Sequence, residues 1–399
     1  MDILSNYKLE NAFLTWNILR SILHNGWWLL VSLYLVTNVH LNATQLLLIA
    51  VAQGIVSIVF EVPAGIFADT VSRKWSIVIS HILMGTAMFS TGLAHSFFAI
   101  VSTQMLWGIS WAFASGSDVA WITDELNEPE RISFVLIRAI RCQFYGAGIG
   151  MVIFAGLATI IGHRNAIIFA GVLMLFLGLL VIIKFTEQGF ARTHDHKLKK
   201  VIENSTKLIA KDHIILLLAL ATFVINGAAD AFSRTYPVIL ENLGLLSSTN
   251  EIIFFSVLNI GSYIIGALVL YCVEKRITYQ NTAKMVMIFA CSFGAISLGI
   301  ISMASSAPLV IISILMASGI TLPINRTVTT IWVNQRCHNN IRATIHSFLS
   351  QVEYLGEIIC GLTIAVVARS LGSSGAMGCA CVLFLIAIIV VSVIRTEKK

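Results

Sequence analysis

The chain has 399 residues, of which 57% are hydrophobic and only 12% are charged, and its formal net charge is +6. A soluble domain carries about a quarter charged residues, so this composition excludes a soluble globular fold and requires lipid to accept the apolar surface. The positive charge alone fits either a nucleic-acid partner or the positive-inside bias of a membrane protein, and the positions of the charges decide between them.

Twelve segments are apolar and long enough to cross a bilayer, since a spanning helix needs about 20 mostly apolar residues. They are residues 13–37, 44–67, 75–94, 97–121, 133–161, 166–185, 213–240, 250–273, 285–304, 308–333, 343–369 and 373–394. The spacing predicts an all-α polytopic membrane protein of twelve transmembrane helices. The first segment is too long for a signal peptide and lacks a small-residue cleavage site, so we expect it to remain in the protein.

The longest polar stretch, residues 186–212, divides the chain near its middle. We expect it to be a cytoplasmic linker, in part an amphipathic surface helix, between an N-terminal six-helix bundle (1–185) and a C-terminal six-helix bundle (213–399). With the N-terminus inside, the outer loops hold only Arg164 and Arg369, whereas most of the 26 Lys and Arg lie in inner segments. This bias predicts cytoplasmic termini in a bacterial inner membrane and makes a nucleic-acid partner unnecessary.

The two halves share a sequence pattern that indicates an internal duplication. Asn25-Gly26 in the first span is followed 39 residues later by Gly65, and Asn226-Gly227 in the seventh span is followed 39 residues later by Gly266. The same offset of 201 also aligns Lys74 with Lys275. Repeats of this kind are typical of secondary transporters.

Residues 61–74, Glu-Val-Pro-Ala-Gly-Ile-Phe-Ala-Asp-Thr-Val-Ser-Arg-Lys, connect the second and third spans. The set Gly65, Asp69, Ser72, Arg73 and Lys74 resembles the signature loop GxxxDxx(G/S)RK of the major facilitator superfamily. The preceding Glu-x-Pro-x-Gly resembles bacterial drug-efflux members of the multidrug, tetracycline and macrolide type. The resemblance implies two pseudo-symmetric six-helix bundles and secondary active transport by alternating access.

Physical chemistry gives this loop a role as a cytoplasmic gate. Gly65 and Asp69 share one helix face, so we expect Gly65 to admit a neighbouring helix and Asp69 to accept N–H groups at a helix N-terminus. The resemblance implies that this partner is the eleventh span, which starts near Arg342. Arg73 can pair with Asp124 at the inner end of the fourth span. The predicted gating motif comprises Gly65, Asp69, Arg73, Lys74, Asp118 and Asp124, with Asp118 interpreted as a packing or gating acid.

Several acids lie inside the spans, where a charge normally faces a cavity or a partner. Glu353 and Glu357 are four residues apart, and Glu353 lies roughly 15 Å from the inner end of its helix, near the midplane. Two carboxylates so close disfavour double ionisation, so we expect one to hold a proton; static pairing with nearby arginines is the alternative. Asp230 either pairs with Arg234 or contacts substrate, and Glu61 is either structural or lines the inner cavity. The proton-coupling candidates are Glu353, Glu357, Asp230 and Glu61.

Aromatic and polar residues of the spans are candidates for a substrate cavity, although interfacial belts and helix packing use the same residue types. The candidates are Trp28, Tyr34, Trp107, Trp111, Arg138, Arg141, Tyr145, Asn226 and Arg326. The fifth span is rich in glycine from Gly146 to Gly156 but lacks the Gly-Pro pair of drug-exporting antiporters. The seven cysteines form no CxxC motif, and we interpret them as packing residues.

The favoured hypothesis is a monomeric secondary transporter, without cofactor or metal, that exports amphipathic drug-like molecules by proton antiport. The alternative is transport of an anionic metabolite or siderophore, with Arg138, Arg141 and Arg326 as the anion site. A membrane-embedded enzyme is not expected, because the sequence carries no HExxH, no Gly-x-Ser-x-Gly and no metal-spaced His and Asp. A non-transporting receptor with the same fold is the remaining hypothesis of another class.

Overall fold

The computed structural model describes residues 3–126, 128–190, 212–246, 251–274, 280–336 and 339–394, and every regular element in these ranges is helical. The first half contains α1 (Ile3–Thr37), α2 (Ala43–Thr70), α3 (Arg73–Leu93), α4 (Phe97–Ala114), α5 (Ser117–Leu126), α6 (Pro129–Ile161) and α7 (His163–Lys184). The second half contains α8 (His213–Asn242), α9 (Glu251–Glu274), α10 (Gln280–Met303), α11 (Ala307–Met316), a π-helical turn (Ala317–Thr321), α12 (Leu322–Arg336) and α13 (Asn339–Val393).

The helices account for the twelve predicted spans. Within the described ranges, ten helical segments are long and apolar enough to cross a membrane. The last of them lies in α13, which supplies two spans because Gly372 (φ 64°, ψ −158°) breaks it. The 35-residue helix α1 is not among the ten, since Arg20, His24 and Asn25 lower the hydropathy of its middle.

The helices depart from the sequence prediction at several positions. The first helix begins at Ile3 rather than at residue 13. The fourth span is not one helix, because Gly116 has φ +70° and interrupts it. Glycine adopts this conformation readily and other residues rarely do. A new helix, α5, therefore starts at Ser117. The tenth span contains the π-helical turn. The predicted surface helix of the linker lies in residues 191–211, outside the described residues.

The chain clusters into two compact units. The first consists of Met1–Val39 and Ile55–Asp195, and the second of His40–Gly54 and His196–Lys399. The start of α2 belongs to the second unit because Ala43 and Leu47 are buried in one apolar core with Ala231, Cys360 and Ile364. The division into bundles 1–185 and 213–399 stays a prediction.

In the first unit, α1 and α6 cross at glycines that let their backbones touch. A Cβ atom added to Gly26 would lie 2.9 Å from the carbonyl oxygen of Gly150, and one added to Gly150 would lie 2.2 Å from the carbonyl oxygen of Ile22. Such contacts are too short for any side chain. The glycine-rich fifth span is therefore used for close helix packing.

The second unit repeats this crossing between α8 and α13. A Cβ atom on Gly227 would lie 2.8 Å from the carbonyl oxygen of Gly356, and one on Gly356 would lie 2.2 Å from that of Phe223. Gly26 and Gly227 share the sequence offset of 201, as do Ile22 and Phe223. The matching geometry supports the internal duplication.

We expect Gly150→Ala and Gly356→Ala to destabilise the protein by about 1–3 kcal/mol each, because the added methyl group forces two backbones apart. The matched control is Gly148→Ala, since a Cβ there meets nothing within 4 Å. Thermal unfolding of the purified protein in detergent measures the effect. A melting temperature that is equally unchanged in all three variants would contradict the crossing.

Candidate functional site

The signature loop forms an ionic network at one end of the first unit. Arg73, the first residue of α3, pairs with Asp124 of α5 and lies 3.7 Å from the Oδ1 of Asp69. Its Nη1 also donates to the carbonyl oxygen of Ala120 at 2.9 Å. The pairing of Arg73 with Asp124 proposed from the sequence is present, and it ties α3 to α5.

Gly65 has no close neighbour among the residues that the structure describes, since a Cβ atom at this position would meet nothing within 4 Å. The tight helix contact at Gly65 stays a prediction. Asp69 has Arg73 as its ionic partner, one turn along the chain. The side chain of Arg342, at the start of the helix expected to face Asp69, lies outside the described residues.

The segment that follows α7 is fastened to the same loop. Glu187 accepts hydrogen bonds from the Ser72 hydroxyl and from the backbone N–H of Lys74, which caps the first turn of α3. The Lys74 ammonium donates to the carbonyl oxygen of Ile182 at 2.9 Å. Lys74 therefore binds α7 as well as contributing positive charge to the loop.

A second acid holds this segment from the side of α5. Buried Glu125 accepts from the backbone N–H groups of Gln188 and Gly189, both at 2.6 Å. Trp121 stacks on Phe185 with ring centroids 3.9 Å apart. The residues after α7 are thus packed against the C-terminal end of α5, a contact that the sequence did not reveal.

A second ionic group lies in the second unit and joins α8, α13 and the start of α2. Arg234 Nε donates to Asp230 Oδ1 at 3.0 Å, and Arg234 Nη2 donates to Gln53 Oε1 at 3.1 Å. Glu357 interacts electrostatically with Asp230, Arg234 and Glu353. The i,i+4 pairing of Asp230 with Arg234 proposed from the sequence is therefore present, with Gln53 as a partner that the sequence did not indicate.

We call this group the acid cluster. It comprises the carboxylates of Asp230, Glu353 and Glu357 and the guanidinium groups of Arg234 and Arg326. Glu353 interacts electrostatically with Arg326 of α12, so among the described residues three carboxylates share two guanidinium groups. The Oδ2 atom of Asp230 is buried and has no hydrogen-bond partner within the described part of the chain. The described carboxylates exceed their counter-charges by one, a charge balance that favours binding of a single proton.

Arg20 occupies the middle of α1 in the first unit and is surrounded by aromatic rings. It pairs with Asp118 of α5 at 3.2 Å. Its guanidinium carbon lies 5.0 Å from the ring centroid of Trp16 and 5.3 Å from that of Trp111. Asp118 thus has the packing role expected of it, as the counter-ion of an intramembrane arginine.

The rings around Arg20 continue into a larger group. His24 stacks on Trp107 with centroids 5.7 Å apart, and Trp107 also stacks on Trp27 at 6.0 Å and on Trp28 at 5.5 Å. Trp111 packs edge-on against Trp107 at 5.6 Å. The aromatic cluster is defined as Trp16, His24, Trp27, Trp28, Trp107 and Trp111. It contains three of the predicted cavity residues.

A family model described as the Major Facilitator Superfamily matches residues 17–361. The chain belongs to this superfamily. It is therefore a multi-pass membrane transporter, and the fold that the signature loop predicted is confirmed.

Two curated proteins of Bacillus subtilis (strain 168) are similar to this superfamily member. An uncharacterized MFS-type transporter, YxaM, is 25% identical over 389 residues, which cover 92% of this chain and 91% of that protein. A nitrite extrusion protein is 22% identical over 245 residues, which cover 61% of this chain and 57% of that protein.

Solved structures of the superfamily share the fold. The nucleoside transporter NupG superposes with a TM-score of 0.75 at 13% identity, covering 96% of this chain and 97% of that chain. A bacterial homolog of the human lysosomal transporter Spinster, inward-facing and unoccupied, gives 0.69 at 13% identity, covering 98% and 96%. At this identity the likeness concerns architecture alone.

Two predicted cavity residues have structural roles in this superfamily member. Tyr34 is only 3% exposed, and its hydroxyl donates to the carbonyl oxygen of Ala94 at the end of α3, so this hydroxyl holds α1 against α3. Arg138 is paired with Glu10, because the longer α1 brings a carboxylate to it; it is not the open anion-binding group that the sequence suggested.

The other candidates are exposed or hydrogen-bonded within the protein. Asn226 donates to the carbonyl oxygen of Thr222 at 3.0 Å. Glu61 accepts from the Ser115 hydroxyl at 3.0 Å, and its Oε2 is buried without a partner. Arg141, Tyr145 and Arg326 are exposed.

Glu10 is a further ionic residue of the first unit that the sequence analysis missed. It is 2% exposed and pairs with Arg131 at 3.0 Å as well as with Arg138. The sequence prediction started the first span at residue 13 and so placed Glu10 outside the membrane. A single acid just before an apolar run could have indicated that the helix starts earlier. The pairing fastens the start of α1 to α6.

We expect Glu10→Gln to destabilise this superfamily member by about 1–3 kcal/mol, since a buried charge pair loses one partner while both arginines keep some solvent screening. The control is Glu128→Gln, because Glu128 pairs with the same Arg131 at 3.6 Å but is 45% exposed in its side chain; its effect should stay within about 0.5 kcal/mol. Thermal unfolding in detergent is the measurement. Equal losses in the two variants would contradict a buried anchor.

Proposed function

We propose that this transporter exports amphipathic, drug-like molecules from the bacterial cytoplasm in exchange for protons. Its two termini lie in the cytoplasm, and it works as a monomer by alternating access. The acid cluster is the observation that carries the proposal. The aromatic cluster supplies the kind of surface that amphipathic molecules bind.

The charge balance of the acid cluster supports proton coupling. Asp230, Glu353 and Glu357 share two guanidinium groups, and an unpaired charge inside a membrane protein costs at least about 2.5–3.5 kcal/mol. One bound proton removes the excess charge. Release of that proton on the cytoplasmic side, and its uptake from outside, would link the proton gradient to the transport cycle.

A second candidate is export of an anion through the same fold. The similarity to a nitrite extrusion protein and the exposed guanidinium groups of Arg141 and Arg326 favour it. The pairing of Arg138 with Glu10 removes one of the three arginines expected in an anion site. Proteoliposomes loaded with ethidium or with carboxyfluorescein, with and without a pH gradient, distinguish cationic from anionic cargo. Absence of vectorial movement of any compound would favour a receptor or an enzyme instead.

Glu353→Gln and Glu357→Gln should each abolish the acceleration of transport by a pH gradient, because an amide cannot exchange the proton. Exchange of substrate across the bilayer without a gradient should persist. The measurement is transport of a substrate found in the panel above, in proteoliposomes of wild type and variants.

The matched control is Glu241→Gln. Glu241 lies on α8 like Asp230, has another acid, Glu251, as its electrostatic neighbour, and is outside the acid cluster. Gradient-driven transport should be unchanged in this variant. If both acid-cluster variants also keep full gradient-driven transport, the proton site lies elsewhere.

We expect Arg73→Gln to reduce the turnover rate about tenfold, the effect of about 1.4 kcal/mol on the limiting step, while substrate affinity changes little. The physical reason is the loss of contacts that join Arg73 to α5, whereas Arg73 itself is not part of the aromatic cluster. Lys184→Gln, which removes an exposed cation at the end of α7, is the control. An unaltered turnover rate in Arg73→Gln would remove the signature loop from the transport cycle.

A further inference from the structure

The aromatic cluster contains four buried ring nitrogens that have no hydrogen-bond partner among the residues that the structure describes. They are Nε1 of Trp27, Trp107 and Trp111, and Nε2 of His24. Trp27 and Trp107 are only 0% and 7% exposed, so lipid or bulk water does not satisfy them. Nearly all buried polar groups in proteins are hydrogen-bonded, and four exceptions in one group of touching rings require an explanation.

The chemistry of these groups defines what can satisfy them. An indole N–H only donates, so each tryptophan needs an acceptor. Trp16, in the same cluster, shows the satisfied state, since its Nε1 donates to His81 Nε2 at 3.1 Å. An ammonium ligand offers only further donors and leaves the indoles unsatisfied.

The local charge also favours an uncharged or anionic ligand. Arg20 adjoins the cluster through Trp16 and Trp111, and Asp118 balances its charge. Its guanidinium group carries five N–H donors in a fixed plane, and the hydrogen bond to Asp118 uses one of them. No unbalanced carboxylate adjoins these rings within the described part of the chain, so no local negative charge attracts a cation, and the faces of Trp16 and Trp111 already contact the Arg20 guanidinium group.

The rings add a requirement of shape. His24, Trp28 and Trp111 are half-buried, so each presents part of its ring beside the fully buried Trp27 and Trp107. Aromatic pairs attract most when offset or edge-on at centroid distances of 4.5–7 Å, and the cluster already has this spacing. A flat ligand can extend the stack.

From these observations we infer that the aromatic cluster is a substrate-binding site for flat aromatic molecules that carry oxygen acceptors at their rim and no positive charge. The inference rests on the proposed transport function and names the substrate class of its binding surface. Binding gives the orphaned donors the acceptors that the protein does not supply.

The experiment is equilibrium binding to the purified full-length protein in detergent with three probes of one ring system. Radiolabelled 2-naphthoate and 2-acetylnaphthalene offer oxygen acceptors, whereas 2-naphthylmethylammonium offers only N–H donors and a positive charge. We expect the two acceptor probes to compete for one site and the ammonium probe not to displace them. Displacement by the ammonium probe at equal concentration would overturn the inference.

Phenylalanine variants test the N–H groups separately from the rings. Trp107→Phe and Trp111→Phe keep an aromatic ring and should each raise the Kd for 2-naphthoate about tenfold, the usual size of one lost hydrogen bond. The control is Trp332→Phe, because Trp332 Nε1 is equally buried and unpartnered but lies on α12 outside the cluster; its Kd should equal that of wild type. An unchanged Kd in both cluster variants would overturn the inference.

Melting temperatures separate binding from folding. Without ligand, Trp107→Phe should melt no lower than wild type, because the substitution removes an unsatisfied donor; a lower melting temperature together with an unchanged Kd would assign the N–H to the fold and overturn the inference. The measurements also distinguish failure of the proposed transport function from failure of the inferred binding site. Binding of 2-naphthoate without gradient-driven movement contradicts proton-coupled export, whereas export of other compounds without naphthoate binding contradicts only the inferred site.

Discussion

The lack of water inside a bilayer is the constraint on which this structure depends. A buried ionic group there must find a partner in the protein, and in the first unit it does: Arg20 has Asp118, and Arg138 has Glu10. Each pair joins α1 to another helix, so the need for a counter-ion also fixes helix positions. Arg20 and Arg138 thereby hold helices together. Because each is neutralised by its partner, neither offers an unpaired charge to a transported molecule.

Glycine provides the second, apolar means of holding the helices. Ion pairs fix helix orientation, whereas the contacts at Gly150 and Gly356 bring backbones together without any side chain between them. Both units use this crossing at equivalent positions, which duplicated sequences would inherit. The polar groups differ between the two units, so duplication preserved the packing while the chemistry of each unit diverged.

The sequence predicted what depends on local spacing. The spans follow from runs of apolar residues, and the pairing of Asp230 with Arg234 follows from the helical repeat. It did not predict Gln53 as a partner of Arg234, because such a contact depends on how two distant helices are rotated about their axes. Gly116 was visible between two serines, but only its positive φ shows that the helix ends there.

Both units leave buried polar groups unsatisfied among the residues that the structure describes. The indole N–H of Trp107 in the first unit and a carboxylate oxygen of Asp230 in the second are two of them. Both lower the stability of the folded state, since a buried polar group without a partner costs about 1–3 kcal/mol. A protein that only had to fold could replace such groups with apolar residues of similar shape. Their presence is explained if something outside the chain satisfies each of them in turn: an acceptor-bearing molecule at the indoles, and a proton at the carboxylates.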